Sequence, residues 1–210
     1  MIKIIDSENN INFQMDESNL NLPEKFSFYY KISDNSLLGN MGNLQYESTV
    51  KKIADFDTVE DFWKIFQHMK KPEHLKNGIE FQLFKYNIKP LWEDESNKKG
   101  GRISIKLKKE NSSLVWEEFI LLLIGGNFPD KIKEEINGVL ISIRRDFNFL
   151  QIWFKTYEKN NINDINNCLR EFLQIPNDVD LDVKPFSKDK NEGGYYKKNY
   201  NNHNKGRYYK

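Results

Sequence analysis

One segment constrains the fold more than any other: residues 103–108, Ile-Ser-Ile-Lys-Leu-Lys, alternate strictly between apolar and polar side chains. Successive side chains of a β-strand point to opposite faces, so this alternation predicts a strand with one buried face and one solvated face. Such a strand belongs in a sheet that is covered on one side only. The other segments of the chain should supply the remaining strands and the cover.

Six further segments of five to eight residues are rich in β-branched and aromatic side chains. Such segments predict strands. Two of them lie on either side of residues 145–148 and predict a hairpin. The predicted strands are residues 26–31, 46–53, 79–84, 139–144, 149–154 and 179–183.

A helix is predicted to begin after Asp57 or Thr58, either of which can cap it, with Glu60 or Asp61 reaching back to the cap. Apolar residues then recur at helical spacing, and such a stripe normally faces the protein interior. The stripe consists of Val59, Phe62, Trp63, Phe66 and Met69. On this pattern alone, Trp63 is expected in the core.

Two more helices are predicted over residues 113–124 and 162–173, which end at Gly125-Gly126 and before Pro176. Helices are thus interspersed between hairpins, and the economical architecture is α+β, a mostly antiparallel sheet with three helices on one face. The other face is then free to bind. We expect one domain over residues 23–187, with a flexible tail over residues 1–22 and a flexible basic tail over residues 188–210.

Charge and cysteine content exclude several classes. The 32 Lys and Arg nearly balance the 31 Asp and Glu, so a chain-wide field that attracts any nucleic acid is missing and nucleic-acid contacts should be local. Cys168 is the only cysteine, which excludes an intramolecular disulfide and favours a reducing compartment. We find no signal-peptide pattern and no apolar run of membrane-spanning length, so we expect the cytoplasm, with the nucleus as a second location.

Trp92 lies in a polar segment entered by Pro90, where a core tryptophan would be badly placed. A Trp beside acids is more often a residue at the rim of the core. The functional interpretation needs a second aromatic ring, for which Tyr46 is a candidate, because two π faces attract a cationic heteroaromatic ligand placed between them. Glu93 could then accept two parallel hydrogen bonds from N1 and N2 of guanine, which adenine and the pyrimidines cannot supply. Methylation at N7 gives guanine the required positive charge.

Phosphate groups on such a ligand would need basic side chains. Arg144 at the end of a predicted strand and Arg102 after Gly100-Gly101 are suitable, and Lys98 or Lys99 could assist. Surface basic residues are often only solvated charges. The sequence shows no nucleophile with a base, no phosphate-binding glycine loop and no metal-ligand spacing, so we expect no catalytic residues, no metal and no enzyme activity.

Several motifs in a fixed order closely resemble the translation initiation factor 4E family of cap-binding proteins. They cover the chain from about residue 26 to residue 185. The motifs are Asp57 to Trp63, Leu83-Phe84-Lys85, Ile88 to Asp94, Asn97 to Arg102, Trp116-Glu117 with Ile124-Gly125, and Gln151-Ile152-Trp153.

The resemblance implies a curved sheet with three helices on its convex face and a ligand pocket on its concave face. In that pocket it assigns Trp92 as a stacking residue, Glu93 as the residue that pairs with guanine, and Trp153 as the residue against the N7-methyl group. Arg144 corresponds to a basic residue that binds phosphate, and Arg102 to an arginine behind the pocket. The ligand is the 7-methyl-GTP part of the mRNA cap, and no cofactor is implied.

The resemblance also implies a partner-binding surface on the convex face. It comprises Val59, Trp63, Glu118 and Leu121 and accepts a helix with Tyr, four residues, Leu and a hydrophobic residue from a scaffold or repressor. Trp63 would then be an exposed anchor, in conflict with the expectation from the stripe.

Two positions depart from the main class of the family. The first stacking residue, normally tryptophan, is Tyr46, and a phosphate-binding lysine is replaced by Phe149. Both changes are like those in the class of the 4E-homologous protein, which binds caps and usually represses translation. Because tyrosine offers less π surface, weaker cap binding is expected without its loss.

The sequence therefore predicts a monomeric cap-binding protein that acts in translation initiation. A cap-binding repressor of translation is the alternative. A general binder of single-stranded RNA and an enzyme of nucleotide metabolism are weaker alternatives, the first of which predicts salt-sensitive binding of uncapped RNA.

Overall fold

A computed structural model describes residues 2–5, 11–14, 19–32 and 49–187. Strand β1 (Ile2–Ile5) pairs antiparallel with β2 (Ile11–Gln14). These strands lie in the segment that was predicted to be a tail. The sequence did not predict them, because each spans only four residues and the surrounding composition is polar. The limits of the predicted domain and tails remain predictions, and residues 188–210 lie outside the described residues.

The main sheet has seven strands in the order β4-β3-β5-β7-β8-β6-β9, and all neighbouring strands are antiparallel. It curves, and helices cover one of its faces, as predicted. The strands are β3 (Asn21–Ile32), β4 (Val50–Thr58), β5 (Ile79–Lys85), β6 (Gly101–Leu107), β7 (Ile136–Ile143), β8 (Asn148–Phe154) and β9 (Leu181–Pro185).

The described residues contain four α-helices: α1 (Val59–Phe66), α2 (Ser112–Ile124), α3 (Asp130–Glu135) and α4 (Lys159–Leu173). The Thr58 hydroxyl accepts a hydrogen bond from the Asp61 amide at 3.2 Å, so Thr58 is the cap of α1. Helix α2 is followed by Gly126 at a φ of 64°, a conformation that glycine adopts without strain. The sequence did not predict α3, because six residues are too few to show helical periodicity.

Strand β4 begins later and ends later than predicted. The predicted strand covered residues 46–53, whereas β4 runs from Val50 to Thr58 and ends directly at the cap of α1. Asp57 was one of the two predicted helix caps, but it still belongs to β4: Phe56 is buried, and Asp55 and Asp57 on either side of it point to the other face. The Ser27 hydroxyl donates to Asp55 at 2.6 Å, which supports this pairing.

The helix-covered face of the sheet forms the main core. Strand residues such as Phe28, Ile105 and Ile152 pack against Trp116 and Phe119 of α2 in one apolar cluster. Helices α1, α3 and α4 contribute Phe62, Ile132 and Ile165 to the same cluster. This packing accounts for the alternation of apolar and polar residues over 103–108.

The opposite face, called the open face below, carries a different set of side chains. A smaller cluster of Tyr29, Phe84, Leu140 and Trp153 lies there, and Ile88 packs against it. Between these apolar residues the face carries polar ones, among them Gln82 and Ser104. The ligand pocket predicted for this face remains a prediction.

Candidate functional site

The connection between β5 and β6, residues 86–100, carries Trp92 and Glu93. Ile88 packs on the open-face cluster and Leu91 is buried, so the connection folds over the open face. Trp92 keeps 37% of its surface exposed, and Glu93 is exposed beside it. The structure therefore leaves both side chains accessible, as the functional interpretation requires.

Hydrogen bonds give this connection its shape. One Asp94 carboxylate oxygen accepts from the Lys89 amide at 3.0 Å and the other from the Ser96 amide at 2.9 Å. The Asn97 side-chain amide donates to the carbonyl oxygens of Lys89 and Leu91 at 2.9 and 2.8 Å. Residues on both sides of Trp92 and Glu93 are thus tied to one another.

At Gly100 the end of this connection lies very close to the backbone at the end of strand β8. A Cβ atom at Gly100 would lie 1.7 Å from the Phe154 carbonyl oxygen, so only glycine permits this approach. The Gly100 carbonyl accepts a hydrogen bond from the Phe186 amide at 3.1 Å. This contact brings the residue after β9 to the same edge of the site.

Trp153 lies on the open face, but it is only 5% exposed. The Phe84 ring meets it edge-on with centroids 5.4 Å apart, and the Phe186 ring covers it at 4.3 Å. Its indole Nε1 is buried and has no hydrogen-bond partner among the described residues. Trp153 is therefore largely inaccessible, and Phe186 is one of the rings that cover it.

Arg102 stands directly opposite Trp153 in the pairing of β6 with β8. It is half-buried, and its Nε atom has no partner within the part of the chain that the structure describes. Buried polar atoms are nearly always paired, so unpaired ones are informative. Two such atoms lie here on residues that face each other across β6 and β8.

Arg144 follows the last residue of β7, as predicted, and its side chain is about half exposed at 49%. Its Nη2 atom lies 3.5 Å from a carboxylate oxygen of Glu80. Glu80 is buried and also accepts a hydrogen bond from Ser142 at 2.9 Å and contacts Lys31 at 3.5 Å. Glu80 therefore holds the guanidinium group at the rim of the open face.

Tyr46 lies outside the described residues, so the second stacking position has no observed geometry. Lys98 pairs with Glu95, and both it and Lys99 are exposed on the same connection as Trp92. Phe149 is half-buried and contacts Phe147 edge-on with ring centroids 5.0 Å apart.

The predicted partner surface lies on the helix side. Trp63 is 42% exposed and rests edge-on against Phe62 and Phe66 of its own helix. The expectation of a buried Trp63 from the apolar stripe is therefore wrong, because α1 is short and one flank of its stripe extends beyond the core. Leu121 is also exposed, while Val59 and Glu118 are half-buried. A depression between α1 and α2 is lined by Trp63, Phe66, Trp116 and Glu117 among others.

Other site types find little support in the described residues. Within the described ranges, no group of three or more His, Cys, Asp or Glu side chains could hold a metal ion. No helix there is long and apolar enough to cross a membrane. Cys168 is on the helix-covered face, and burial, assisted by the charge of Glu171, raises the pKa of its thiol to about 11.

The sequence model of the family described as Eukaryotic initiation factor 4E matches residues 21–205 of the 210-residue chain. The chain belongs to the eukaryotic initiation factor 4E family. The eukaryotic translation initiation factor NCBP of Oryza sativa subsp. japonica is 33% identical over 141 residues, which cover 67% of this chain and 61% of the rice protein. The match thus spans about three fifths of that relative's length.

Solved structures of the 4E family agree with the fold. C. elegans eIF4E-3 in complex with the 4E-binding protein Mextli and a cap analog has a TM-score of 0.72 at 27% identity, covering 80% of this chain and 93% of the nematode chain. Ascaris suum eIF4E-3 in complex with an m7G cap has a TM-score of 0.71 at 28% identity, covering 82% of this chain and 94% of that chain.

Three residues near the candidate site were not singled out from the sequence. Glu80 holds Arg144, Phe186 covers Trp153, and Lys106 stands opposite Phe149 in the pairing of β6 with β8. The Lys106 ammonium lies 3.9 Å from the centre of the Phe147 ring. The strict alternation of β6 could have indicated that Lys106 faces the open side, but its neighbour across the sheet depends on the register.

Proposed function

We propose that the chain binds the 7-methylguanosine cap of mRNA through its open face and acts in translation initiation. The observation that carries the proposal is the pair of accessible side chains Trp92 and Glu93, held by a hydrogen-bonded connection whose Ile88 packs on the open-face cluster. The related structures from C. elegans and Ascaris suum, which contain a cap analog and an m7G cap, support the same ligand.

Two kinds of interaction recognise the base: aromatic rings attract its positive charge, and hydrogen bonds identify it as guanine. The methylated guanine carries a positive charge, so it is attracted by the π face of Trp92 and, on its other side, by Tyr46. Base stacking of this kind is worth ~1–3 kcal/mol. Glu93 accepts two hydrogen bonds from N1 and N2 of the base, which distinguishes guanine from the other bases.

The phosphate chain meets the basic residues of the open face. Arg144, held by Glu80, presents its guanidinium at the rim, and the half-buried Arg102 supports the pocket from behind. Lys106 adds positive charge beside Phe149, where the family carries a lysine. Trp153 contacts the N7-methyl group once Phe186 moves aside.

The convex face recruits a scaffold or repressor. An amphipathic helix with Tyr, four residues, Leu and a hydrophobic residue would lay its apolar side against Trp63, Leu121 and Val59, with Glu118 at the edge. Trp63 suits this role because an exposed tryptophan on a rigid helix contributes a large contact area. The related C. elegans structure contains the 4E-binding protein Mextli.

We propose further that the protein is a monomeric binding protein of the cytoplasm, with the nucleus as a second location, and that it has no cofactor and no catalytic activity. A cap-binding repressor of translation is the second candidate, and Tyr46 and Phe149 favour it because both depart from the main class of the family. The two roles share the cap site. They differ in whether the bound partner recruits or excludes the translation machinery.

Retention on immobilised 7-methyl-GTP tests the proposal. We expect elution by free 7-methyl-GTP and not by GTP, and loss of retention in Trp92→Ala and Glu93→Ala. Trp63→Ala is the matched control, because it removes an exposed tryptophan from the opposite face and should leave retention intact while abolishing capture of the partner helix. Equal elution by GTP would refute cap recognition, and sustained release of 7-methylguanosine nucleotides from capped RNA would show an enzyme.

A further inference from the structure

Two buried asparagines link strand β7 to the connection that carries Trp92 and Glu93. The Asn137 side-chain amide donates to the Asn97 side-chain oxygen at 2.9 Å and to the Ser96 carbonyl at 2.7 Å. Asn97 is 0% exposed and Asn137 is 3% exposed. We propose that this asparagine pair is a positioning device that fixes the Trp92-Glu93 connection in its ligand-binding conformation before the ligand arrives.

The strand irregularity explains how Asn137 reaches the connection. In the pairing of β7 with β8, Ile136 stands opposite Phe154 and Gly138 opposite Trp153, so Asn137 is an extra residue without a partner in the register. A bulge of this kind redirects a side chain and is common beside functional sites. Here it turns the Asn137 amide toward residues 96 and 97. Gly138 follows directly, and its missing side chain leaves room for Phe84.

Asn97 passes this constraint to the residues just before Trp92. Its oxygen accepts from Asn137, while its nitrogen donates to the carbonyls of Lys89 and Leu91, the residues on either side of Pro90. Only an amide can accept one bond and donate two at the same position. An aspartate of equal size would place carboxylate oxygens against two carbonyl oxygens.

The need for such a device follows from the exposure of the binding side chains. Trp92 and Glu93 must stay accessible, so packing alone cannot hold them. A connection that is ordered only on binding would reduce affinity by the entropy of ordering it, and a connection ordered in advance avoids that loss. A buried hydrogen-bonded network supplies this order without covering the binding surface.

The inference rests on the proposed cap site, and Asn137→Asp tests it. This change keeps the size of the side chain and removes both donated hydrogen bonds. We expect affinity for 7-methyl-GTP to fall about tenfold in the folded protein, measured by tryptophan fluorescence, which corresponds to ordering one or two side chains on binding. We also expect faster hydrogen exchange of the amides in residues 88–99 in the absence of ligand. Asn137→Ser, which removes the amide with less risk to folding, should show the same pair of effects.

Asn161→Asp is the matched control. Asn161 is a buried asparagine of α4 that also donates two hydrogen bonds, to Glu135 and to the Thr156 carbonyl, both at 2.8 Å. A general loss of stability would occur in this variant too, but its affinity for 7-methyl-GTP and its exchange over residues 88–99 should stay unchanged. An equal loss of affinity in Asn161→Asp would show that the Asn137 effect is only structural.

The outcomes separate the two proposals. Unchanged exchange over residues 88–99 in both Asn137 variants overturns the positioning role, as does faster exchange with unchanged affinity. If the unaltered protein does not bind 7-methyl-GTP at all, the proposed function fails, and the positioning role toward that ligand fails with it. Faster exchange together with weaker binding, confined to the Asn137 variants, supports both.

Discussion

The two faces of the main sheet are built on different principles. The helix-covered face consists of fully buried apolar residues, such as Phe28, Ile105 and Phe154, packed against helices. The open face alternates aromatic residues, such as Phe84 and Trp153, with polar ones, such as Gln82 and Ser104. With the proposed function, stability and binding therefore depend largely on opposite sides of the same strands.

This division has a simple physical origin. A strand presents alternate side chains to opposite faces, so the same seven strands can supply a dry core and a ligand surface without competition at any position. Burial of apolar side chains stabilises the fold, whereas accessible aromatic and charged side chains contribute little to it. Substitutions on the two faces should therefore separate effects on unfolding from effects on binding.

The largest effect is expected for Trp116→Ala on the helix-covered face. Trp116 is 1% exposed and belongs to the main core, so its truncation should lower the free energy of unfolding by ~3–5 kcal/mol. Urea denaturation measures this change. The matched comparison is Trp92→Ala, which removes the same side chain from an exposed position and should change stability by only about 0.5 kcal/mol or less.

The same pair of variants should have opposite effects on ligand binding. Trp92→Ala should abolish retention on 7-methyl-GTP, whereas Trp116→Ala, measured at a temperature where it is folded, should retain it. If Trp92→Ala destabilised the protein as much as Trp116→Ala, the indole of residue 92 would be part of the core, and the assignment of binding to the open face would be refuted.

The second-largest effect is expected when a positive charge is removed from the rim of the open face. Arg144→Gln should reduce affinity for 7-methyl-GTP by ~1–2 kcal/mol, because it removes a charge-assisted contact with phosphate, and should leave affinity for the 7-methylguanosine nucleoside unchanged. Fluorescence titration with both ligands measures the difference. Arg145→Gln is the control, because Arg145 is the adjacent exposed arginine and has no proposed contact. A loss for the nucleoside as well would contradict a phosphate role.

Features that depend on residues close together in the sequence could be predicted from it, and features that depend on distant segments could not. Local signals located the start of α1, with Asp57 or Thr58 as its cap, the strands β5 and β6, and the turn before β8, because these depend on neighbouring residues. The bulge at Asn137 and the contact of Glu80 with Arg144 were not predictable, since they depend on strand register between distant segments. Trp92 and Glu93 were predicted as site residues from their polar surroundings together with the resemblance to the 4E family, and both are exposed in the structure.

Trp63 shows how far helical periodicity can predict the burial of a side chain. The apolar stripe predicted a buried side chain, yet the structure exposes 42% of it, because the width of the core determines how much of a stripe is covered. The resemblance to the 4E family predicted the exposure correctly. Periodicity identifies which side of a helix faces the core, but it does not define where the core ends.

A smaller effect is expected from Phe186→Ala, which uncovers Trp153 on the open face. The contact between these rings, at 4.3 Å, is worth ~1 kcal/mol and would be lost when the ligand reaches Trp153. Removal of Phe186 should therefore tighten binding of 7-methyl-GTP several-fold, and less so for GTP, which lacks the methyl group. Calorimetric titration of both nucleotides measures this. Weaker binding of 7-methyl-GTP would instead make Phe186 part of the ligand site.

The smallest effect is expected at Cys168, which is buried on the helix-covered face. Burial raises the pKa of this thiol to about 11 in the folded protein, above its ordinary value of 9.0. The thiolate, which is the reactive form, is therefore disfavoured at pH 8, and iodoacetamide should modify the folded protein far more slowly than the protein in urea. Mass spectrometry over time measures the two rates.

The same shift gives a sign for the dependence of stability on pH. The folded state retains the Cys168 proton more strongly than the unfolded state, so its contribution to stability is complete below about pH 9 and is lost as the pH rises toward 11. Cys168→Ala should lack this part of the decline in an alkaline series of urea denaturations. Rapid alkylation of the folded protein at pH 8 would show that water and reagent reach the buried side of α4, where Cys168 lies. The helix-covered face would then not be the dry side of the sheet.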